Sequence, residues 1–482
     1  MSLFFCQTRR GVELVLHYIQ ARLAEHGIDP ERFRGYRGGY LPNVRRGIEV
    51  SLRNGELDAV VATNALELGI DIGSLDAVVM AGYPGTIAGF RQRGGRAGRR
   101  QGPSLVVLVT SANPLDQFLA RQPRYLFQNT PERALVQPDN VDSLLAHLRC
   151  AAFELPFPAG EAFGSLSVPD TESALAFLSE EADLSLSKNR YHYIGESYPA
   201  ADVSLRNIQP DRVVVIDQEQ GQAIAAVDMH TARMELHEQA IYLSEGQTYL
   251  VHKLDLVSHQ AFLQKVDPAY YTKPMSDVAL TVEEERETRP FPGGVTRLGD
   301  VQVTEKITGF KKIRFHSHEN LGYGKVHLPE ATMETESFWL TPSSTLLRAL
   351  RSQGEALLMR AMAGLGHAVH QVAVLHLMCD PRDMAFIAQN VPGSGSDGDE
   401  LAEIALFFYD NHPGGVGLSE QAFQETVPIL EDARQLIEGC GCKNGCPTCV
   451  GPLDHSSHHV KETAIALATG LIGFSRVAPA VN

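Results

Sequence analysis

The first 123 residues alternate short, continuous apolar runs with stretches of helical spacing, and this alternation limits the fold more than any other feature of the chain. "LFFCQT", "DAVVATN", "DAVVMAG" and "SLVVLVT" are strand-length blocks of Val, Ala, Leu and Phe. Between and after them come "GVELVLHYIQARLAEHG", "PNVRRGIEVSLRNG" and "NPLDQFLARQ", which have helical periodicity. A strand that is apolar on both faces must be covered on both, and parallel strands need crossovers, so the pattern predicts an α/β domain built on a parallel sheet. The first of these strands begins almost at residue 1, and we expect a longer polypeptide cut at a domain boundary.

At 482 residues the chain exceeds one hydrophobic core and calls for several domains. Helical spacing in "NVDSLLAHLRCAAFELPF" and "TESALAFLSEEADLSL", followed by a hairpin of "RYHYIGE" with "DVSLRNI", predicts a winged-helix-like domain over 124–210. A β-rich domain is expected over 211–330 and an α+β domain over 331–482, with "NVPGSGSDGDE" as a mobile loop. No apolar run approaches the roughly 20 residues that cross a bilayer, so no membrane partner and a cytoplasmic location are expected. The net charge of -16 excludes a uniformly basic surface. Screening confines each charge's field to about 8 Å, however, so local basic patches still decide the partner.

One such patch is "FRQRGGRAGRR", with five arginines in residues 90–100. Ligands of an open parallel sheet sit at the C-terminal ends of its strands, and "VATNALELGIDIG" runs from a strand into such a loop. Thr63 offers a hydroxyl, Gly69 close backbone approach, and Asp71 a carboxylate for a ribose hydroxyl. Gln92, Arg96 and Arg99 recur at a spacing of about three on an expected helix, which places them on one face. Arginines brought to a phosphate site stabilise charge on a transferring phosphoryl group; the alternative is a solvated surface patch.

"ATNALELGIDIG" followed by "GYPGTIAGFRQRGGRAGRR" resembles motifs V and VI of superfamily 2 helicases, in order and distance. "LFFCQTRRGVELV" resembles motif IV and "YRGGYLPNVRR" the phosphate-contacting segment after it. The resemblance implies that residues 1–123 are a second RecA-like domain. Arg96 and Arg99 would then face the γ-phosphate of ATP with Gln92 nearby, and Gly69 and Asp71 would line the nucleotide site. Thr63, Gln7 and Arg9 would touch the tracked strand of DNA, single-stranded or a tailed duplex. The sequence holds no G-x-x-x-x-G-K-[ST] loop and no Asp-Glu-x-His box, so ATP with Mg²⁺ would need a missing N-terminal RecA-like domain, and this chain alone is expected to be inactive.

Cys440, Cys442, Cys446 and Cys449 fall within "CGCKNGCPTCVGP". Four thiols at this spacing suit a structural Zn²⁺; an iron–sulfur cluster or two disulfides are the alternatives. With "GLGHAVHQVAVLHLMCDPRDMAF" and "FFYDNHPGGVGLSEQAF", the cluster resembles the C-terminal zinc-binding domain of the mitomycin repair factor A and RecQ-four-like branch of superfamily 2. That branch implies an ATP-dependent DNA helicase moving 3′ to 5′ in DNA repair. A non-catalytic nucleic-acid-binding module and an RNA helicase or remodeller are the rival readings. Asp410 and His412 flank a Gly-rich turn and are read as a strand-to-helix connection, and His367, His370 and His376 as packed or hydrogen-bonded. "KITGFKKIRFHSH" is read either as a base-stacking surface carrying Phe310 and Phe315 or as a plain strand.

Overall fold

The structure, a computed structural model, describes all residues except 69–74, 99–102, 133–139, 202, 204–211, 352–353, 392–402, 453–458 and 474–482. Strands β1 (Ser2–Cys6), β2 (Phe33–Tyr36), β3 (Ala59–Ala62), β4 (Ala77–Ala81) and β5 (Leu105–Val109) form one parallel sheet in the order β2-β3-β1-β4-β5. Helices α1 (Arg9–Glu25), α2 (Pro42–Arg53), α3 (Ile87–Gly94) and α4 (Pro114–Arg121) alternate with them. The apolar runs lie inside: Leu3, Val60, Val78 and Met80 pack in one core, and Val12, Leu16 and Val61 in another. This is the expected RecA-like α/β sheet. The short helix α5 (Arg124–Gln128) adds Leu126 to the first core, so the domain extends past residue 123.

Helices α6 (Val141–Glu154) and α7 (Val168–Glu180) pack with a small antiparallel sheet of β6 (Phe157–Pro158), β7 (Leu184–Ser187) and β8 (Arg190–Tyr193). The hairpin partner of "RYHY" is therefore Leu184–Ser187, not the expected "DVSLRNI", most of which lies outside the described residues. Lys188 and Asn189 turn the chain with φ of 49° and 62°, the two positive values of a tight hairpin turn.

The expected β-rich domain at 211–330 is two structures. Strands β9 (Arg212–Asp217), β10 (Gln222–Asp228), β11 (Ile241–Ser244), β12 (Gln247–Asp255) and β13 (Gln260–Val266), with helix α8 (Met229–Glu235), make a separate five-stranded sheet. Strands β14 (Tyr270–Phe291) and β15 (Gly294–Arg314) then form one hairpin of about 70 Å, to which β16 (Asn320–Lys325) adds at β15. β17 (Ala331–Pro342), β18 (Met384–Val391) and β19 (Glu403–Asp410) complete the same sheet in the order β14-β15-β17-β19-β18. A boundary at 330 would cut this sheet, because β15 pairs β17 from Gly294 to Glu305 and gives β17 its backbone partners.

Helices α9 (Ser344–Arg351), α10 (Glu355–Leu377), α11 (Leu418–Gln424), α12 (Thr426–Glu438) and α13 (Val460–Ile472) cover that sheet. α10 is buried along most of its length against α12 and α13. Phe310 is fully buried and stacks on His237, and Phe315 packs on His17 and Tyr271, so both rings of "KITGFKKIRFHSH" belong to the core and neither offers a face to bases. Most of the loop expected at 390–400 lies outside the described residues. No helix among the described residues is long and apolar enough to cross a membrane.

Candidate nucleotide cleft, strand contacts and metal centre

Parallel strands present their loops on one side, and β1, β3 and β4 bring Gln7, Thr63 to Glu67, and Gly82 to Thr86 to that edge of the sheet. Thr86 caps α3 by accepting the amide of Gly89 at 3.0 Å. α3 ends at Gly94, with Gly95 as its cap. Gln92 is thus an exposed helix residue, while Arg96 follows in the next turn and is buried. The single helical face expected to carry both does not form, because the Gly94–Gly95 pair stops the helix between them.

Arg96 reaches back to β3's loop, where its Nε donates to the Glu67 carbonyl at 2.8 Å and its Nη2 to the same oxygen. The Glu67 carboxylate is taken instead by Arg93, whose Nε lies 2.9 Å from it and whose guanidinium covers the Phe5 ring. Arg93 was missed in the sequence because its spacing relative to Gln92 suggested no partner. Gly69, Asp71 and Arg99 lie outside the described residues. The loop that begins at Thr63 thus meets Arg96 at Glu67, while Gln92 is exposed on α3.

Gln7 is exposed at the end of β1 and donates from Nε2 to the Tyr83 carbonyl at 2.6 Å. Gly82, at φ 87°, makes room for it, since a Cβ there would stand 2.7 Å from Gln7 Nε2. Arg9, at the start of α1, is half-buried: its Nη1 lies 2.9 Å from both Asp228 Oδ2, at the end of β10, and Thr231 Oγ1 of α8. Arg37, in the segment expected to contact phosphate, is fully buried on Glu13, Tyr242 and the Leu243 carbonyl. Both arginines serve the junction between the β1–β5 and β9–β13 sheets.

The Gly-rich turn after β19 is structural. Asp410 is fully buried and accepts from the amides of Val416, Leu418 and Ser419 and from the Ser419 hydroxyl, at 2.6 to 3.1 Å. His370 sits between the carbonyls of Pro381 and Met384, and His376 between Glu425 and Asp432. His367 is packed against the cysteine loop, where burial holds its pKa down against the carbonyls of Thr448 and Pro447.

The four cysteines converge between α12 and α13. Their sulfurs lie within 4.8 Å of one another, with Cys440 to Cys446 at 3.6 Å, Cys442 to Cys449 at 3.5 Å and Cys446 to Cys449 at 3.7 Å. Four sulfurs each about 2.3 Å from a central zinc form a tetrahedron with edges of about 3.8 Å, so the donor set fits Zn²⁺ closely. These separations far exceed the roughly 2.05 Å of a disulfide. Burial pushes the Cys446 thiol up, but the amides of Cys449 and Thr448 and the neighbouring thiols outweigh it and bring the pKa to about 7. The buried Lys461 of α13 donates to the carbonyls of Cys440 and Cys442 and closes the loop from behind.

Two family models match the two ends of the chain: the helicase conserved C-terminal domain over residues 1–101 and the MrfA Zn-binding domain over 365–450. The helicase YprA of Bacillus subtilis is 41% identical over 453 residues, covering 93% of this chain and 59% of the relative. HRQ1 of Saccharomyces cerevisiae is 29% identical over 490 residues, covering 97% of this chain and 44% of the relative. A crystal structure of the DUF1998 helicase MrfA bound to DNA aligns with a TM-score of 0.69 at 40% identity, over 97% of this chain and 61% of that one. A second, with DNA and AMPPNP, aligns with a TM-score of 0.65 at 38% identity, over 96% of this chain and 60% of that one. The chain therefore spans about 60% of the length of MrfA and YprA. With a match to the helicase C-terminal domain at one end and to the MrfA Zn-binding domain at the other, the chain is similar over nearly its whole length to superfamily 2 helicases of the MrfA and Hrq1 branch.

Proposed function

We propose that the chain is the C-terminal part of an ATP-dependent DNA helicase or translocase that serves DNA repair in the cytoplasm and moves 3′ to 5′. It supplies the arginine side of an ATP site whose phosphate loop and Mg²⁺ ligands come from an upstream RecA-like domain. The observation that carries this reading is Arg96, buried against the loop after β3 and held by the Glu67 carbonyl. A carbonyl is a neutral acceptor that a guanidinium can exchange for a phosphate oxygen, while the Glu67 carboxylate stays with Arg93. Arg96, with Arg99 and Gln92, faces the γ-phosphate when the cleft closes; Gly69 and Asp71 line the site, and Gln7 and Thr63 contact the tracked strand. Arg9 contacts that strand only by leaving Asp228, so its part is minor. The DNA and AMPPNP bound in the MrfA structure support the same two ligands here.

Zinc, held by Cys440, Cys442, Cys446 and Cys449, supplies structure rather than chemistry. The purified chain is expected to contain one zinc, to be colourless, to bind labelled single-stranded DNA with an affinity that falls as salt rises, and to hydrolyse no ATP above background. ATP turnover by this chain alone that disappears in Arg96→Ala contradicts the reading, as does salt-independent binding.

A further inference from the structure

The zinc-binding domain touches the motor sheet directly. The loop 379–383, between α10 and β18, is pinned from three sides, by His370 on the Pro381 carbonyl, Asn411 Nδ2 on the Arg382 carbonyl and His412 on Asp383, each at 3.1 Å, and is tied within itself by Asp380 N on Asp383 at 3.3 Å. From this platform Arg382 forks onto Asp380, with Nε to Oδ1 at 2.9 Å and Nη2 to Oδ2 at 2.7 Å. The fork leaves Nη1 directed at the main-chain carbonyl of Gln7, 2.8 Å away. Gln7 is thus fixed at both ends, its carbonyl by Arg382 and its side chain by Tyr83. Gly85, at φ 101°, lets the two domains meet, since a Cβ there would stand 3.3 Å from Pro381. A second contact comes from the cysteine loop itself, where Thr448 Oγ1 donates to the Ala112 carbonyl at 2.8 Å.

We infer that Arg382 is a positioning residue through which the zinc-binding domain sets the strand-contacting end of β1, with Thr448 as the second point of the same brace. This rests on the reading that Gln7 contacts DNA. The Asp380 fork matters because it orders a long side chain in advance, so that the bond to Gln7 costs little entropy. Arg382 is more than half exposed, so removing it leaves the core intact and its effect is readable apart from folding.

The test uses the full chain and a fluorescein-labelled oligothymidylate. Arg382→Ala is expected to weaken binding about fivefold, within the range by which one coupling contact acts, while zinc content and melting temperature stay unchanged. Arg382→Lys, which keeps a donor but loses the fork, is expected to fall between. In Gln7→Ala the further change at Arg382 is expected to add less than twofold, because both act through one group. Amide exchange in residues 3–12 is expected to speed up in Arg382→Ala without DNA. Equal binding and equal exchange in Arg382→Ala and the parent overturn the inference, as do fully additive effects with Gln7→Ala. A parent chain that binds no oligothymidylate overturns the underlying reading instead, and the exchange measurement separates the two failures.

Discussion

At the scale of single residues, motif reading singles out Arg96 and the four cysteines but not the groups that hold them. Arg93 and Glu67 lie 26 positions apart and meet only because β3's loop and α3 share a sheet edge. Lys461 lies beyond the cysteine run and carries no ligand atom, so nothing in spacing pointed to it. Its ammonium is buried, its acceptors are two ligand-loop carbonyls, and no carboxylate of the described residues lies within ion-pair distance. A buried cation needs countercharge, and four thiolates around a divalent zinc leave a net negative cluster beside it. Lys461→Met is expected to lower zinc affinity about 10–100-fold, measured by competition with a chromophoric chelator. Unchanged affinity would mean that the ammonium is merely a loop tie.

At the scale of elements, the helices and buried strands of the first domain were legible because burial on both faces writes continuous apolar runs. The long hairpin was not, since β14 carries Glu283, Glu284, Glu285 and Glu287 on solvated positions and reads as several short strands. The cap of α3 was also hidden. Glu132 accepts the amides of Ile87 and Ala88 at 2.5 and 3.0 Å, so a carboxylate from beyond α5 seals the helix that leads to Arg96. Glu132→Ala removes about 1 kcal/mol of capping, and the amides of residues 87–90 are expected to exchange about fivefold faster. The platform under Arg382 has a pH signature. Its hydrogen bond to Asp383 raises the His412 pKa. Protonated His412 therefore stabilises the fold fully below the unfolded value of about 6.5, and this is lost as pH rises through the higher folded value. The melting temperature of the parent minus that of His412→Gln is expected to shrink from pH 6 to pH 9; a constant difference contradicts the assignment.

At the scale of the whole molecule, domain order was readable from composition, but domain boundaries were not. Sheet membership depends on pairings such as Leu298 to Phe338 that local patterns do not announce. Junctions were hidden for a related reason, since no local motif announces that Arg9 and Arg37 meet Asp228, Tyr242 and the Leu243 carbonyl of the β9–β13 sheet. Glu13 accepts from Arg37, Tyr40 and the Gly246 amide, so this junction is a buried and fully partnered ion pair. Arg37→Ala strands the Glu13 charge and is expected to cost about 3–5 kcal/mol, read by urea unfolding. A loss under 1 kcal/mol would mean that the two sheets are not joined there.

In the proposed function, Arg96 completes an ATP site shared with an upstream domain. The most direct measurement is kcat for DNA-stimulated ATP hydrolysis by a polypeptide in which a RecA-like domain with a phosphate loop precedes residue 1, compared with its Arg96→Ala variant. A fall of about 10³-fold or more is expected, with DNA affinity and zinc content unchanged. A kcat within a few-fold of the parent would contradict it.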